Sequence, residues 1–364
     1  MMSYIPVLSI RPAEVVALSE LPDLSKDRMT PLILVKPWLG GGALSRGLDK
    51  ISHGFPSRPW FAELDPEYYP AAGSDTYSEI EQLRDPAHGF GNWIEFVGQL
   101  HQAMPVLQLR GAQSSEQLLA QIDRAAELHH HRIGVRIDRT FGGHAALPVA
   151  PIVDLLALRP NIQFTIVIDY GQRDSKLLAS AIPAIQDVIY IRERLPESVI
   201  SLSSTTFPSA FGARNSQEIF ERNFFNIVNS EVGGLVFSDR GSARASEQGG
   251  GGVPRPRIDL PTQSHWNFFR SDCVKEDGES ADDFRERRIE AYGQMADMAT
   301  ESPDWDENLN VWGTQLIKIT QLRSPFGITS PAKATACRIN IHLTKQSLYG
   351  VDVSAEDLEE EWVD

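Results

Sequence analysis

The chain has 364 residues, of which 41% are hydrophobic and 23% charged, and its formal net charge at pH 7 is −15. This composition is ordinary for a soluble protein with a full apolar core, and the length fits one large domain or two smaller ones. The acidic balance argues against non-specific binding to nucleic acid or anionic lipid, although a local basic pocket is compatible with it.

Eight short runs of apolar and β-branched residues, bounded by polar residues, Gly or Pro, predict strands that are buried on both faces. These runs cover residues 5–11, 31–38, 60–65, 105–111, 132–139, 164–171, 199–207 and 234–241. Most of the segments between them have helical spacing of their apolar residues. The predicted helical segments are 76–102, 114–131, 150–160, 174–196 and 216–231. Pro183 is expected to break or kink the fourth of these.

The alternation of strand and helix predicts a (β/α)8 TIM-like barrel over residues 1–252. A doubly wound open sheet has the same local pattern and is the alternative. Beyond this point the pattern changes to a predicted hairpin, at 253–261 and 265–272, followed by two helical segments. We interpret residues 253–364 as an α+β appendage of hairpin and helices packed on the barrel.

Alternation within the strands predicts a ring of charged side chains at one end of the barrel. Successive side chains on a strand point to opposite faces, and one parity carries polar residues near the carboxyl end of six strands. The predicted ring consists of Lys36, Glu63, Arg110, Arg136, Asp138, Asp169 and Asp239. The carboxyl ends of the strands hold the active site in barrels of this kind.

The ring predicts two sets of functional residues. The candidate catalytic acids and bases are Glu63, Asp138, Asp169 and Asp239. The candidate ligands for an anion are Lys36, Arg110, Arg136, Arg240, Arg244 and Arg270. Arginine and hydroxyl groups beside the glycines 249–252, after the last strand, suit a phosphate group. A divalent cation held by Glu63, Asp138 and Asp169 stays open, since carboxylates are its usual ligands.

A structural role explains the same residues. Buried charges cost several kcal/mol each unless they are paired, and arginines and carboxylates on neighbouring strands would pair. A closed network of ion pairs with no chemistry is therefore the alternative to a ligand site.

The sequence lacks the marks of export and of membrane insertion. Its N-terminal stretch, "MMSYIPVLSIRPAEV", has no basic flank before a long apolar run, and no segment approaches the roughly 18 apolar residues of a membrane helix. Cys273 and Cys337, in unrelated contexts, imply neither a disulfide framework nor a zinc cluster. We expect a cytoplasmic protein with no membrane partner.

Several motifs resemble those of the beta protein family of prophages and phage satellites. The opening ones are Tyr4, Pro6, Glu14, Ala17-Leu18 and Pro31-Leu32. The later ones are "FTIVIDYG", "GLVFSDRGSARA" and "HWNFFRSD". The resemblance implies a barrel-like fold and an association with mobile-element loci that defend a host against phage, sometimes beside a toxic partner. It implies no particular reaction.

Two functional hypotheses follow. In the first, the protein belongs to an anti-phage defence locus and binds or processes a phosphate-bearing anion at the carboxyl-end rim. In the second, it is a non-catalytic immunity or sensor protein that restrains a toxic partner or recognises a phage component through residues 253–364.

Overall fold

The chain folds as a mixed α/β protein. The computed structural model describes residues 3–40, 42–112, 114–128, 132–140, 146–245, 254–352 and 358. Within these ranges it contains two parallel four-stranded sheets, a three-stranded antiparallel sheet and twelve α-helices. No helix in the described ranges has the length and apolar character needed to cross a bilayer.

The first parallel sheet has its strands in chain order. They are β1 (Val7–Ser9), β2 (Leu32–Val35), β3 (Trp60–Leu64) and β4 (Ala103–Pro105). The helices between them are α1 (Pro12–Ser19), α2 (Asp23–Lys26), α3 (Ser45–Gly54), α4 (Asp75–Arg84) and α5 (Ala87–Gly98). Leu32 of β2 pairs with Val7 on one side and with Phe61 on the other, so the three strands run parallel in register.

The second parallel sheet has the order β5, β6, β7, β9. These strands are β5 (Arg132–Asp138), β6 (Gln163–Gln172), β7 (Val199–Thr205) and β9 (Val236–Phe237). The associated helices are α6 (Ser115–Ala126), α7 (Val149–Leu156), α8 (Ala181–Arg194) and α9 (Phe220–Val232). A 3₁₀ helix, Ser175–Ser180, precedes α8, and Pro183 lies in the first turn of α8, where its missing N–H breaks no helical hydrogen bond.

The two parallel sheets meet through one face and at both edges. The side chains on the facing sides of the two sheets form one apolar cluster, which includes Val7, Phe61 and Val167. At the edges, the contacts are isolated parallel bridges, Val106 to Gly134 and Tyr4 to Phe237. Regular ladder pairing therefore gives two sheets, not the single eight-stranded sheet that the sequence predicted, because the edge strands β1, β4 and β9 are only two or three residues long.

The predicted hairpin is confirmed. It consists of β10 (Arg257–Pro261) and β11 (His265–Arg270), which pair antiparallel. A third strand, β8 (Ser216–Glu218), pairs with β11, although the sequence predicted the start of a helix there. The helices that follow are α10 (Ala281–Thr300), α11 (Trp312–Gln321) and α12 (Pro331–Ser347).

Helix α12 joins the C-terminal segment to the main core. Ile339 and Leu343 belong to the core that covers the parallel sheets, whereas Cys337 and Ile341 belong to the core formed with α10 and α11. The Asn340 side chain donates hydrogen bonds to the carbonyl oxygens at the C-terminal end of α1 and just after it. Helix α12 was not predicted, because its buried polar residues mask the helical spacing of its apolar residues.

Candidate functional site

Arg136 lies at the centre of a buried ion cluster that connects the two parallel sheets. Its Nε and Nη2 donate to the two carboxylate oxygens of Glu63 on β3, at 2.6 and 2.8 Å. Its Nη1 donates to Oδ2 of Asp169 on β6, at 2.8 Å. Because Arg136 is on β5, one guanidinium holds carboxylates from strands of both sheets.

Arg240, which follows β9, completes this part of the cluster. Its Nη2 donates to the same Asp169 oxygen at 2.5 Å, and the backbone N–H of Gly171 donates to the other oxygen at 2.9 Å. The Arg240 side chain is buried, and its Nε has no hydrogen-bond partner among the described residues. An unpartnered buried N–H costs free energy, so this group is suited to an additional acceptor.

Asp138 is held by a second arginine. Nη2 of Arg110 donates to Oδ2 at 2.6 Å, and the backbone N–H and hydroxyl of Thr140 donate to Oδ1 at 2.8 and 2.5 Å. Burial raises the pKa of Asp138, but these hydrogen bonds outweigh it and lower the pKa overall. The residue is therefore a permanent carboxylate at neutral pH.

The charges of the cluster stabilise one another. Burial raises the pKa of Glu63, and Arg136 opposes that rise. Burial also disfavours the charged form of Arg136, but Glu63, Asp169 and Asp138 together raise its pKa well above the usual value. The predicted pairing of arginines and carboxylates at the strand ends is confirmed by these contacts.

The cluster does not form a metal site. In the parts of the chain that the structure describes, no group of three or more His, Cys, Asp or Glu side chains has the geometry to hold a metal ion. Arg136 lies between Glu63 and Asp169, and Arg110 forms an ion pair with Asp138. The proposed cation ligands are therefore separated by guanidinium groups, which neutralise them in place of a cation.

A cavity of about 680 Å³ opens beside the cluster, and we call it the rim cavity. Its charged lining residues in the described ranges are Arg11, Lys36, Asp65, Glu67, Arg136 and Arg240. Four are basic and two acidic, and Nζ of Lys36 lies 4.0 Å from Asp65. The volume suits a ligand of nucleotide size. A smaller cavity of about 230 Å³ is lined by Glu63, Arg110, Arg136 and Asp138, among others.

Asp239 does not belong to this cluster, contrary to the predicted ring. It is completely buried and accepts hydrogen bonds from Tyr4, from the backbone N–H of Gly241 at 2.7 Å, and from Nε2 of His342 at 2.6 Å when that nitrogen is protonated. Burial raises the pKa of Asp239, but His342 and the hydrogen bonds lower it overall.

The parity assigned to the last strand was therefore wrong by one residue. Phe237 stacks on Tyr4 and packs against Phe225 of α9, so its parity faces the helices. Val236 packs beside the apolar cluster between the sheets, and Arg240, of the same parity, reaches Asp169. Val236 and Phe237, the two residues of this strand, are both apolar, so the sequence of the strand does not distinguish its two faces.

Arg244 and Arg270 were predicted as anion ligands, and neither of them lines the rim cavity. Arg270, at the end of β11, donates to the carbonyl oxygens of Gly212 and Arg214 at 2.6 and 2.8 Å. Arg244 lines a different cavity, between the segment after β9 and the C-terminal part of the chain. The glycines 249–252, beside which a phosphate site was predicted, lie outside the described residues.

Four charged residues at the rim cavity were missed: Arg11, Asp65 and Glu67, which line it, and Glu14, which pairs with Arg11. Arg11 lines the rim cavity, and Glu14 accepts from the Ser9 backbone N–H at 2.6 Å and from Arg11 at 3.2 Å. Burial raises the pKa of Glu14, while Arg11 and the Ser9 hydrogen bond oppose the rise. Arg11 has the same parity as Val7 and Ser9, so the rule that identified Lys36 also identifies Arg11.

Two parallel sheets with an arginine–carboxylate cluster at their carboxyl ends define an α/β protein whose strand ends carry the site. The chain belongs to the beta protein family, because the family model described as Beta protein matches residues 4–348. Protein beta of Enterobacteria phage P4 is 26% identical over 377 residues, which cover 98% of each chain. The family resemblance of the sequence motifs is thereby confirmed. No solved structure matches.

Proposed function

We propose that the eight parallel strands enclose a single barrel-like cylinder and that its carboxyl-end rim binds a phosphate-bearing small molecule. The isolated bridges at both sheet edges support the cylinder, as do backbone hydrogen bonds from Ile5 to Phe237 and from Val7 to Asp239, at 2.9 and 2.8 Å. In this arrangement α12 is the helix that follows the eighth strand, and residues 254–330 are inserted before it.

The basic lining of the rim cavity is the observation that carries the anion proposal. Arg11, Lys36, Arg136 and Arg240 face this volume with two carboxylates, on a protein whose net charge is −15. Arg240 lines the cavity, and its buried Nε has no hydrogen-bond partner among the described residues. Guanidinium and ammonium groups bind phosphate oxygens through charge-assisted hydrogen bonds, which are stronger where water is excluded.

Binding fits the geometry better than general acid–base catalysis. A catalytic carboxyl group must exchange its proton with a substrate within hydrogen-bond reach. Glu63 and Asp138 are each held by an arginine, and Asp169 is held by two. These carboxylates are therefore suited to positioning the arginines.

Calorimetric titration with adenosine 5′-monophosphate and with inorganic phosphate tests the proposal. We expect binding by the wild-type protein and a loss of about tenfold or more in affinity in Lys36→Gln and Arg240→Gln, since each removes a charged donor. Arg124→Gln, at an exposed ion pair on α6, is the matched control and should bind as wild type. Absence of binding by the folded wild type would refute the proposal.

The biological setting is also a proposal. Membership of the beta protein family and a relative in phage P4 support a role in a mobile-element locus. We propose that this role is anti-phage defence. A phage-plating assay in the natural locus, comparing wild type with Arg240→Gln and Arg124→Gln, tests whether protection depends on the rim. Equal protection by all three proteins would show that defence does not depend on anion binding at the rim.

A non-catalytic immunity or sensor protein is the second candidate, and the C-terminal segment provides its support. Leu322 and Phe326, between α11 and α12, are each 79% exposed. Exposed large apolar side chains mark protein interaction sites where they form a contiguous patch. Leu322→Asp with Phe326→Asp should abolish suppression of a toxic partner while leaving the folded core and anion binding intact. Unchanged suppression by this variant would remove the candidate.

A further inference from the structure

An arginine-rich cavity lies next to the rim cavity, and we call it the arginine cavity. It has a volume of about 330 Å³ and lies between the segment after β9 and the C-terminal part of the chain. Its charged lining residues in the described ranges are Arg11, Glu14, Arg244, Arg255, Arg257, Asp259 and Arg338. Five guanidinium groups therefore share the cavity with two carboxylates, an excess of three positive charges.

One of the two carboxylates in this cavity, that of Asp259, forms ion pairs with two arginines. Asp259 is 2.7 Å from Nε of Arg257 and 2.7 Å from Nη1 of Arg338. Asp259 and Arg338 are both buried, so their positions are set by the fold of β10 and α12. Arg255 pairs with Asp272, which is almost fully exposed and lies outside the cavity lining.

The arginines influence one another electrostatically. Burial lowers the pKa of Arg244, and the positive charge of Arg257 lowers it further. Burial likewise lowers the pKa of Arg338 to about 10, with contributions from Arg257 and Arg244 that oppose the effect of Asp259. A bound anion relieves this mutual repulsion, which favours a ligand of high negative charge.

The arginine cavity and the rim cavity are neighbours. Arg11 lines both of them. Arg244 lines the arginine cavity and the next residue, Ala245, lines the rim cavity. Nη1 of Arg11 donates to the carbonyl oxygen of Arg244 at 3.3 Å and thereby connects the two lining segments. The two cavities therefore share the Arg11 side chain as a common wall.

We infer that the two cavities form one bipartite site for a small molecule with two separated phosphate groups, such as a nucleoside bisphosphate. This inference rests on the proposed binding of a phosphate in the rim cavity. The first phosphate lies against Lys36 and Arg240, and the second contacts the arginine cavity. The forked donors of arginine match phosphate oxygens, and the excess positive charge needs an anion of more than one charge.

The test compares adenosine 3′,5′-bisphosphate with adenosine 5′-monophosphate by calorimetric titration of the full chain. On the wild type, we expect the bisphosphate to bind about tenfold or more tightly than the monophosphate. Arg244→Gln and Arg255→Gln should lose this advantage and still bind the monophosphate with wild-type affinity. Arg255→Gln is safe for the fold because its ion pair with Asp272 is exposed.

Arg214→Gln is the matched control, because the Arg214 side chain donates to Gln217 at 3.0 Å and lies outside both cavity linings. It should keep the full advantage of the bisphosphate. This inference is overturned, and the rim proposal stands, if the wild type binds the monophosphate as tightly as the bisphosphate. The same holds if Arg244→Gln and Arg255→Gln still bind the bisphosphate more tightly than the monophosphate. If neither probe binds the wild type, both are overturned.

Discussion

Replacement of Arg136 by methionine tests the buried ion cluster most directly. The substitution removes two hydrogen bonds to Glu63 and one to Asp169, while Asp169 keeps Arg240 and the Gly171 N–H. Glu63 is only 6% exposed and loses its arginine. An uncompensated buried charge costs about 3–5 kcal/mol, a fifth or more of the roughly 5–15 kcal/mol that stabilises an ordinary domain.

The loss should depend on pH with a definite sign. Burial raises the pKa of Glu63 in the folded protein, and removal of Arg136 raises it further. The folded state then binds the proton more tightly than the unfolded state, so stability falls as pH rises from the unfolded pKa of about 4.3 to the folded pKa. Urea unfolding at about pH 5 and about pH 7.5 should therefore show the larger loss at the higher pH.

Two controls make the result interpretable. Arg136→Met with Glu63→Gln should recover a substantial part of the loss, because the unpaired charge is removed. Arg124→Met, at exposed pairs with Glu95 and Glu127, should leave the stability close to that of wild type, because solvent screens exposed ion pairs. A loss below about 1 kcal/mol for Arg136→Met at both pH values would contradict the buried cluster.

Three further predictions concern the rest of the fold. Burial raises the pKa of Glu221 from about 4.5 to about 8, so the stability of the wild type falls as pH rises through that window. In urea unfolding, Glu221→Gln should therefore gain stability relative to wild type between about pH 5 and about pH 8, and a constant difference would contradict this. Gly241 has φ +58°, and an added Cβ would lie 2.7 Å from the Leu8 side chain. Gly241→Ala should therefore cost about 1–3 kcal/mol in thermal unfolding, and a change below about 0.5 kcal/mol would contradict this. A chain that ends at residue 330 lacks α12 and should show no cooperative transition by circular dichroism, whereas a cooperative one would mean that α12 is dispensable.

Much of the candidate site could be predicted because strand geometry is local. The assigned parity of Glu63, Arg136 and Asp169 is confirmed by their mutual contacts, and Lys36 lines the same cavity as Arg136. Apolar residues of one parity and charged residues of the other distinguish the two faces of these strands without tertiary information.

The same rule failed where the local pattern was ambiguous. Val236 and Phe237 are neighbours on the strand and both are apolar, so either side chain could face the helices. The packing of Phe237 on Tyr4 and Phe225 decides between them, and both rings come from distant parts of the chain. Asp239 consequently turns away from the cluster and pairs with His342, 103 residues later in the chain.

The sequence by itself determined the α/β class, seven of the eight parallel strands, the hairpin and the family, because periodicity and short motifs are properties of neighbouring residues. The fourth strand, predicted at 105–111, lies at Ala103–Pro105. Only the tertiary structure decided that α12 connects two cores, that Arg240 and not Asp239 joins Asp169, and that Arg244 borders a second cavity with Arg257 and Arg338. Those outcomes depend on which distant side chains meet and neutralise one another in the interior, where an unpaired charge is costly. Local patterns contain no information about that pairing.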